Sequence, residues 1–106
     1  MARRSSSASF AFGEPLEGQV AEELDLHGYT RDQARARVPA YLRDARRRLP
    51  GQLVHIITGK GRNSPGQPVL LPTVRKLLEA APQSQIADWG PDVDGGGFLV
   101  RLKGRF

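Results

Sequence analysis

The feature that most constrains this chain is the run Leu53-Val54-His55-Ile56-Ile57-Thr58, bracketed by Pro50-Gly51 before it and Gly59 after it. A run this short and this rich in β-branched residues predicts a central, buried strand. Helical patterns flank it on both sides. Upstream, Ala34, Val38, Tyr41, Leu42, Ala45 and Leu49 recur at helical spacing, and Thr30 with Gln33 forms a capping box at the start. Pro39 falls inside that helix and is expected to bend it, because proline lacks the N–H of an interior hydrogen bond. Downstream, Leu70 to Ala81 carries a stripe of Val74, Leu77, Leu78 and Ala81, with Pro72 in the first turn and Pro82 beyond the end.

Three weaker strand signals complete the pattern. Glu23 to His27 alternates polar and apolar, which places Leu24 and Leu26 on one face and Asp25 and His27 on the other. Ile86 to Trp89 reads as a third strand, Pro91 to Gly97 as a turn-rich connection and Phe98 to Leu102 as a last strand. The order βαβαββ predicts an α/β fold whose sheet has parallel strands joined by crossovers and closes with a hairpin. A chain of 106 residues accommodates one such domain, here residues 22–106. Residues 1–21 read as a disordered or loosely ordered tail, since Arg3, Arg4 and Ser5 to Ser7 offer little to bury.

Composition narrows the function classes. No run of about 18 apolar residues is present to span a membrane, and no apolar stretch follows Arg3 and Arg4 as a secretory signal requires. The absence of cysteine excludes disulfides, thiol catalysis and cysteine-ligated zinc, and fits a cytoplasmic location. The net charge is +5, and the first 20 residues carry 2 basic and 2 acidic groups, so the excess lies in the domain. That distribution favours a polyanionic partner, RNA or DNA; a solvated basic surface is the plainer alternative.

Two segments have the residues for chemistry. Asp25 and His27 emerge on one face near a strand end, where open α/β sheets place ligands. The imidazole exchanges protons near neutral pH, and a neighbouring carboxylate orients it. The alternative reading has Asp25 capping the turn and His27 packing against the first helix. The second segment is Thr58-Gly59-Lys60-Gly61-Arg62-Asn63-Ser64. Glycines directly after a strand let backbone amides approach a phosphate, Lys60 adds charge, and Arg62 can grip a phosphate with two donors. It is not a Walker A loop, because Val54 stands near the position of the required first glycine and Gly61 follows Lys60 where Ser or Thr is needed.

The remaining candidates are weaker. His55 sits within an apolar strand and reads as structural. Asp25 and His27 alone are two ligands short of a zinc cage, so no resident metal and no required cofactor are expected; Mg²⁺ held partly by water and phosphate stays open. Tyr29, Tyr41, Trp89 and Phe98 form no base-stacking platform, and Trp89 and Phe98 are assigned to the core. Gly95-Gly96-Gly97 predicts a tight turn, with amides facing a phosphate as the alternative.

Taken in order, Leu24-Asp25-Leu26-His27-Gly28, Ile56-Ile57-Thr58-Gly59-Lys60-Gly61 and Gly95-Gly96-Gly97 before Val100-Arg101-Leu102 resemble the Smr (small MutS-related) domain across about residues 22–104. The resemblance implies a two-layer α+β sandwich with a four-stranded mixed sheet, similar to the C-terminal domain of the third bacterial translation initiation factor. It implies nucleic-acid binding and, in several members, endonuclease activity on DNA or on messenger RNA at ribosomes. The family's Asp-Leu-His motif falls on Asp25, Leu26 and His27, and its Gly-x-Gly loop on Gly59, Lys60 and Gly61. The expected activity is therefore phosphodiester cleavage in RNA, structured DNA or both, with Asp25 and His27 catalytic and Gly59, Lys60, Gly61 and Arg62 holding phosphate. A non-catalytic module that docks on RNA, DNA or the ribosome is the second expectation.

Overall fold

The computed structural model describes residues 16, 18–59 and 69–105. Lys60, Gly61, Arg62 and residues 1–15 of the expected tail lie outside the described residues. The elements are β1 (Val20–Asp25), α1 (Arg31–Arg48), β2 (Leu53–Ile57), α2 (Leu70–Ala80), β3 (Ile86–Pro91) and β4 (Gly97–Leu102), the βαβαββ order expected. They form one four-stranded mixed sheet in the order β1-β2-β4-β3. β1 runs parallel to β2, while β4 is antiparallel to both of its neighbours. No helix among the described residues is long and apolar enough to cross a membrane.

Both helices cover one face of the sheet, which makes the architecture a two-layer α+β sandwich. Leu24 and Leu26 from β1 and the residue after it, Val54 and Ile56 from β2, and Phe98, Val100 and Leu102 from β4 alternate onto that face. They meet Ala34, Val38, Tyr41, Leu42 and Ala45 of α1 and Val74 and Leu78 of α2. Removing a leucine or isoleucine side chain of this kind from water contributes about 1.5–3 kcal/mol. Trp89 packs at the edge of the same core, its ring edge-on to Phe98 with centroids 5.9 Å apart.

Local chemistry explains the helix ends. Thr30 accepts the Gln33 backbone N–H at 3.1 Å, and the Gln33 side chain accepts the Thr30 N–H at 2.9 Å, which satisfies two of the donors a helix start leaves unpaired. At the far end, Arg48 bridges Asp44 (2.7 Å) and Glu22 (3.0 Å). Pro39 is exposed and sits inside α1, which runs as one helix through it.

The first strand differs from its expected limits. It begins at Val20 rather than Glu23 and ends at Asp25 rather than His27. Glu22 hides the early part of the strand from a hydropathy reading. Its carboxylate lies on the core side, where it accepts the Tyr41 hydroxyl (2.7 Å) and Arg48 (3.0 Å), so a polar residue occupies an inward position. Leu16, ahead of the strand, is already only 1% exposed.

Candidate functional site

Parallel pairing brings the ends of β1 and β2 side by side. Asp25 is paired with Ile57, and the Leu26 N–H donates to the Ile57 carbonyl at 2.7 Å. Antiparallel β4 starts where β2 ends, with Gly97 opposite Ile57. The turn after β1, Thr58 and Gly59 after β2 and the glycine turn before β4 therefore share one end of the sheet. Both helices also begin at this end, each following a strand that finishes there.

The turn after β1 is built by Asp25. Its Oδ1 accepts the His27 backbone N–H at 2.9 Å, and the Tyr29 N–H returns to the Leu26 carbonyl at 2.9 Å. Leu26 is fully buried, whereas Asp25 and His27 are exposed, as the alternation predicts. The carboxylate thus acts on His27 through its backbone: it holds the turn that presents the ring, and it does not touch the imidazole. Gly28 and Gly59 both turn the chain with positive φ, 86° and 84°. The imidazole opens onto a broad groove of about 680 Å³, with Gly28, Tyr29, Gln33 and Arg37 along it. Arg37 lies over the Tyr41 ring, 5.5 Å from its centroid. Burial pushes the Tyr41 phenol well above its usual range, and its hydrogen bond to Glu22 adds to the effect.

The triple glycine forms the expected tight turn, and that turn anchors the chain at Thr58 and Gly59. The Gly96 carbonyl accepts three hydrogen bonds, from the Thr58 N–H (2.9 Å), the Gly59 N–H (3.0 Å) and the Thr58 hydroxyl (3.1 Å). The Gly59 amide is therefore committed inside the fold and does not face a ligand. The Gly95 and Gly96 amides are likewise engaged, both donating to Asp92 Oδ1 at 2.7 and 3.1 Å. The triple glycine is thus a tight turn, with its Gly95 and Gly96 amides engaged by Asp92. Gly97 is required by a close approach: a Cβ there would run into the Ile56 carbonyl oxygen.

One linkage has no local sequence signal. His55 Nε2 lies 2.8 Å from Asp92 Oδ2, and Glu23 Oε2 is 3.6 Å from Nδ1 on the other side of the ring. Asp92 so ties β2 to the turn that receives Thr58 and Gly59, a structural use of His55. Asp92 is 37 positions from His55, and only the return of the chain through β3 places it there. Tyr29, Gln33 and Arg37, which share the groove with His27, were also not singled out for function by the sequence; the spacing of Gln33 and Arg37 on the exposed side of α1 was the available signal. Among the described residues, no group of three or more His, Asp or Glu side chains converges in a way that could hold a metal ion.

Comparison with known proteins adds two findings. The model of the Smr domain family matches residues 24–102. A protein of Treponema pallidum (strain Nichols), described as uncharacterized, is 43% identical over 61 residues, which cover 58% of this chain and 30% of that protein. The matched segment is thus under a third of that relative's length.

Proposed function

The chain belongs to the Smr domain family, and from that premise we propose that it binds nucleic acid and cleaves phosphodiester bonds in RNA, structured DNA or both. The observation that supports this reading is the exposed His27 ring, held by the Asp25 turn at the sheet end where β2 finishes and open to the groove that contains Arg37. On RNA, neutral His27 takes the proton from a 2′-hydroxyl, whose oxygen then attacks the adjacent phosphorus. The 5′-oxygen leaves and regains a proton from the imidazolium or from water, and the product carries a cyclic phosphate. Lys60 and Arg62, which follow Gly59 in the sequence, and Gly61 with its amide supply charge and donors for the phosphate oxygens as negative charge develops. Asp25 is a positioning residue, acting through the His27 amide.

A second reading, a non-catalytic module that docks on RNA, DNA or the ribosome, draws on the same contact. The Asp25 carboxylate binds backbone and does not touch the imidazole, as a purely structural turn cap does. A substrate panel separates the two. Wild-type protein is incubated with single-stranded, duplex and branched RNA and DNA, with and without a chelator, and binding is measured in parallel. Cleavage of at least one substrate, with a cyclic phosphate on any RNA product, is expected. Binding without cleavage of any substrate would leave the docking module as the function.

A further inference from the structure

Three cations converge in a cleft that the sequence gives no reason to connect. α1 and α2 pack side by side, and a cavity of about 280 Å³ opens between them, lined by Arg31 and Arg35 from α1, by Lys76 and Leu77 from α2, and by Val69 and Pro72 at the start of α2. Among the described residues, no acidic side chain lines it. Among the described residues, Arg31 and Lys76 have no ion-pair partner. Arg35 has Asp32 at 3.6 Å, with the two side chains 59% and 90% exposed, a pair that water largely screens.

This arrangement is unfavourable to the isolated domain. Arg31 is the first residue of α1, where the helix dipole disfavours a cation. Arg31 and Arg35 are four residues apart on one helix, a spacing at which like charges repel. The other end of α1 resolves its charges: Arg48 pairs with Asp44 and Glu22, Arg47 with Asp44, and Arg46 donates to the Gly104 carbonyl. Apolar exposure points to the same cleft. Val69 is 40% exposed, one of two large apolar side chains left in water among the described residues.

We propose that this cleft binds a single-stranded segment of nucleic acid, with backbone phosphate on Arg31, Arg35 and Lys76 and a sugar or base against Val69, Pro72 and Leu77. The proposal rests on the nucleic-acid reading above and adds a second contact surface, since Arg31 and Arg35 line the cleft while Gln33, Ala36, Arg37 and Ala40, on another side of α1, line the His27 groove. The cavity lies at the small end of ligand pockets, ~300–1,000 Å³, which suits one nucleotide. A duplex keeps its bases turned inward and offers only phosphates, so it leaves the apolar wall uncovered.

The test uses a short fluorescein-labelled oligouridylate and the same strand annealed to its complement. Affinity is measured against salt for wild type, Arg31→Ala, Lys76→Gln, the double variant and Arg43→Ala; Arg43 is exposed on α1 and does not line the cleft. Each lost phosphate contact should lower the slope of log affinity against log salt by about 0.7, and the double variant should bind about tenfold more weakly. Arg43→Ala should keep the wild-type slope, and the annealed strand should bind less tightly than the free one. If wild type binds no oligonucleotide, both the nucleic-acid reading and the cleft proposal fall. If wild type binds but the double variant keeps its affinity and slope, or the duplex binds as tightly as the single strand, the cleft proposal alone is overturned.

Discussion

Replacing Gly97 with alanine probes the junction on which the whole sheet end depends. A Cβ at this position would run into the Ile56 carbonyl oxygen and stand 3.1 Å from both the Ile56 carbonyl carbon and the Ile57 Cα. Carbon atoms pack at about 3.5–4.0 Å, so β4 must retreat from β2 by about half an ångström or more. The obstacle is backbone of the neighbouring strand, which no side-chain rotation relieves. Retreat lengthens the bonds that the Gly96 carbonyl accepts from the Thr58 N–H, the Gly59 N–H and the Thr58 hydroxyl, now 2.9, 3.0 and 3.1 Å. At ~1 kcal/mol for each bond, Gly97→Ala should cost about 3 kcal/mol. For a domain of this size that is a fall in Tm of roughly 12–24 °C. Urea unfolding followed by circular dichroism measures it. Gly95→Ala is the comparison: φ is 77°, but a Cβ meets nothing within 4 Å, so only the left-handed backbone cost of about 1–2 kcal/mol applies. A Gly97→Ala loss below ~1 kcal/mol, or no larger than that of Gly95→Ala, would refute the close-approach argument.

Three further perturbations test other parts of the account. Pro39→Ala restores an N–H in the interior of α1 at an exposed position, and should raise unfolding free energy by about 1–3 kcal/mol in the same urea assay. Asp92→Ala removes the acceptor of the Gly95 and Gly96 amides and the partner of His55, and should cost about 1–3 kcal/mol, with faster hydrogen exchange at Thr58 and Gly59. Arg48, then Tyr41, holds the Glu22 carboxyl below the usual carboxylate range through hydrogen bonds. The stabilisation from a depressed carboxyl is complete above the unfolded value of about 4.3 and is lost as pH falls through the lower folded value. Tm should therefore drop more steeply below about pH 4.3 in wild type than in Glu22→Gln, by a small margin because the Glu22 side chain is 36% exposed.

What could be read in advance follows the range of each interaction along the chain. The capping box at Thr30 and Gln33 spans three residues, and the inward leucines of Leu24-Asp25-Leu26 obey a two-residue period, so both were legible. The apolar stripes of α1 and α2 were legible for the same reason. The start of β1 was not, because Glu22 turns inward to meet Tyr41 and Arg48 across the tertiary fold. Gly59, Gly95 and Gly96 carry the composition of a phosphate cradle, yet their amides bond to Gly96 and Asp92. Glycine content marks where the backbone comes close to something and leaves open what that something is. Asp25 and His27 were correctly placed together on the open side, while the route of their contact, carboxylate to backbone amide, depends on the strand ending at Asp25. The cleft cations Arg31, Arg35 and Lys76 come from two helices and meet only once α1 and α2 are packed.

The central claim is that the His27 ring performs chemistry at the sheet end. Its most direct test is single-turnover cleavage by wild type and His27→Ala of whichever substrate the panel identifies, with affinity and Tm measured on the same preparations. The side chain is exposed, so Tm should stay within a few degrees of wild type. Cleavage should fall by about 10²–10⁴-fold, the contribution of a general acid or base, while affinity stays near wild type. Cleavage by His27→Ala at the wild-type rate would contradict the account.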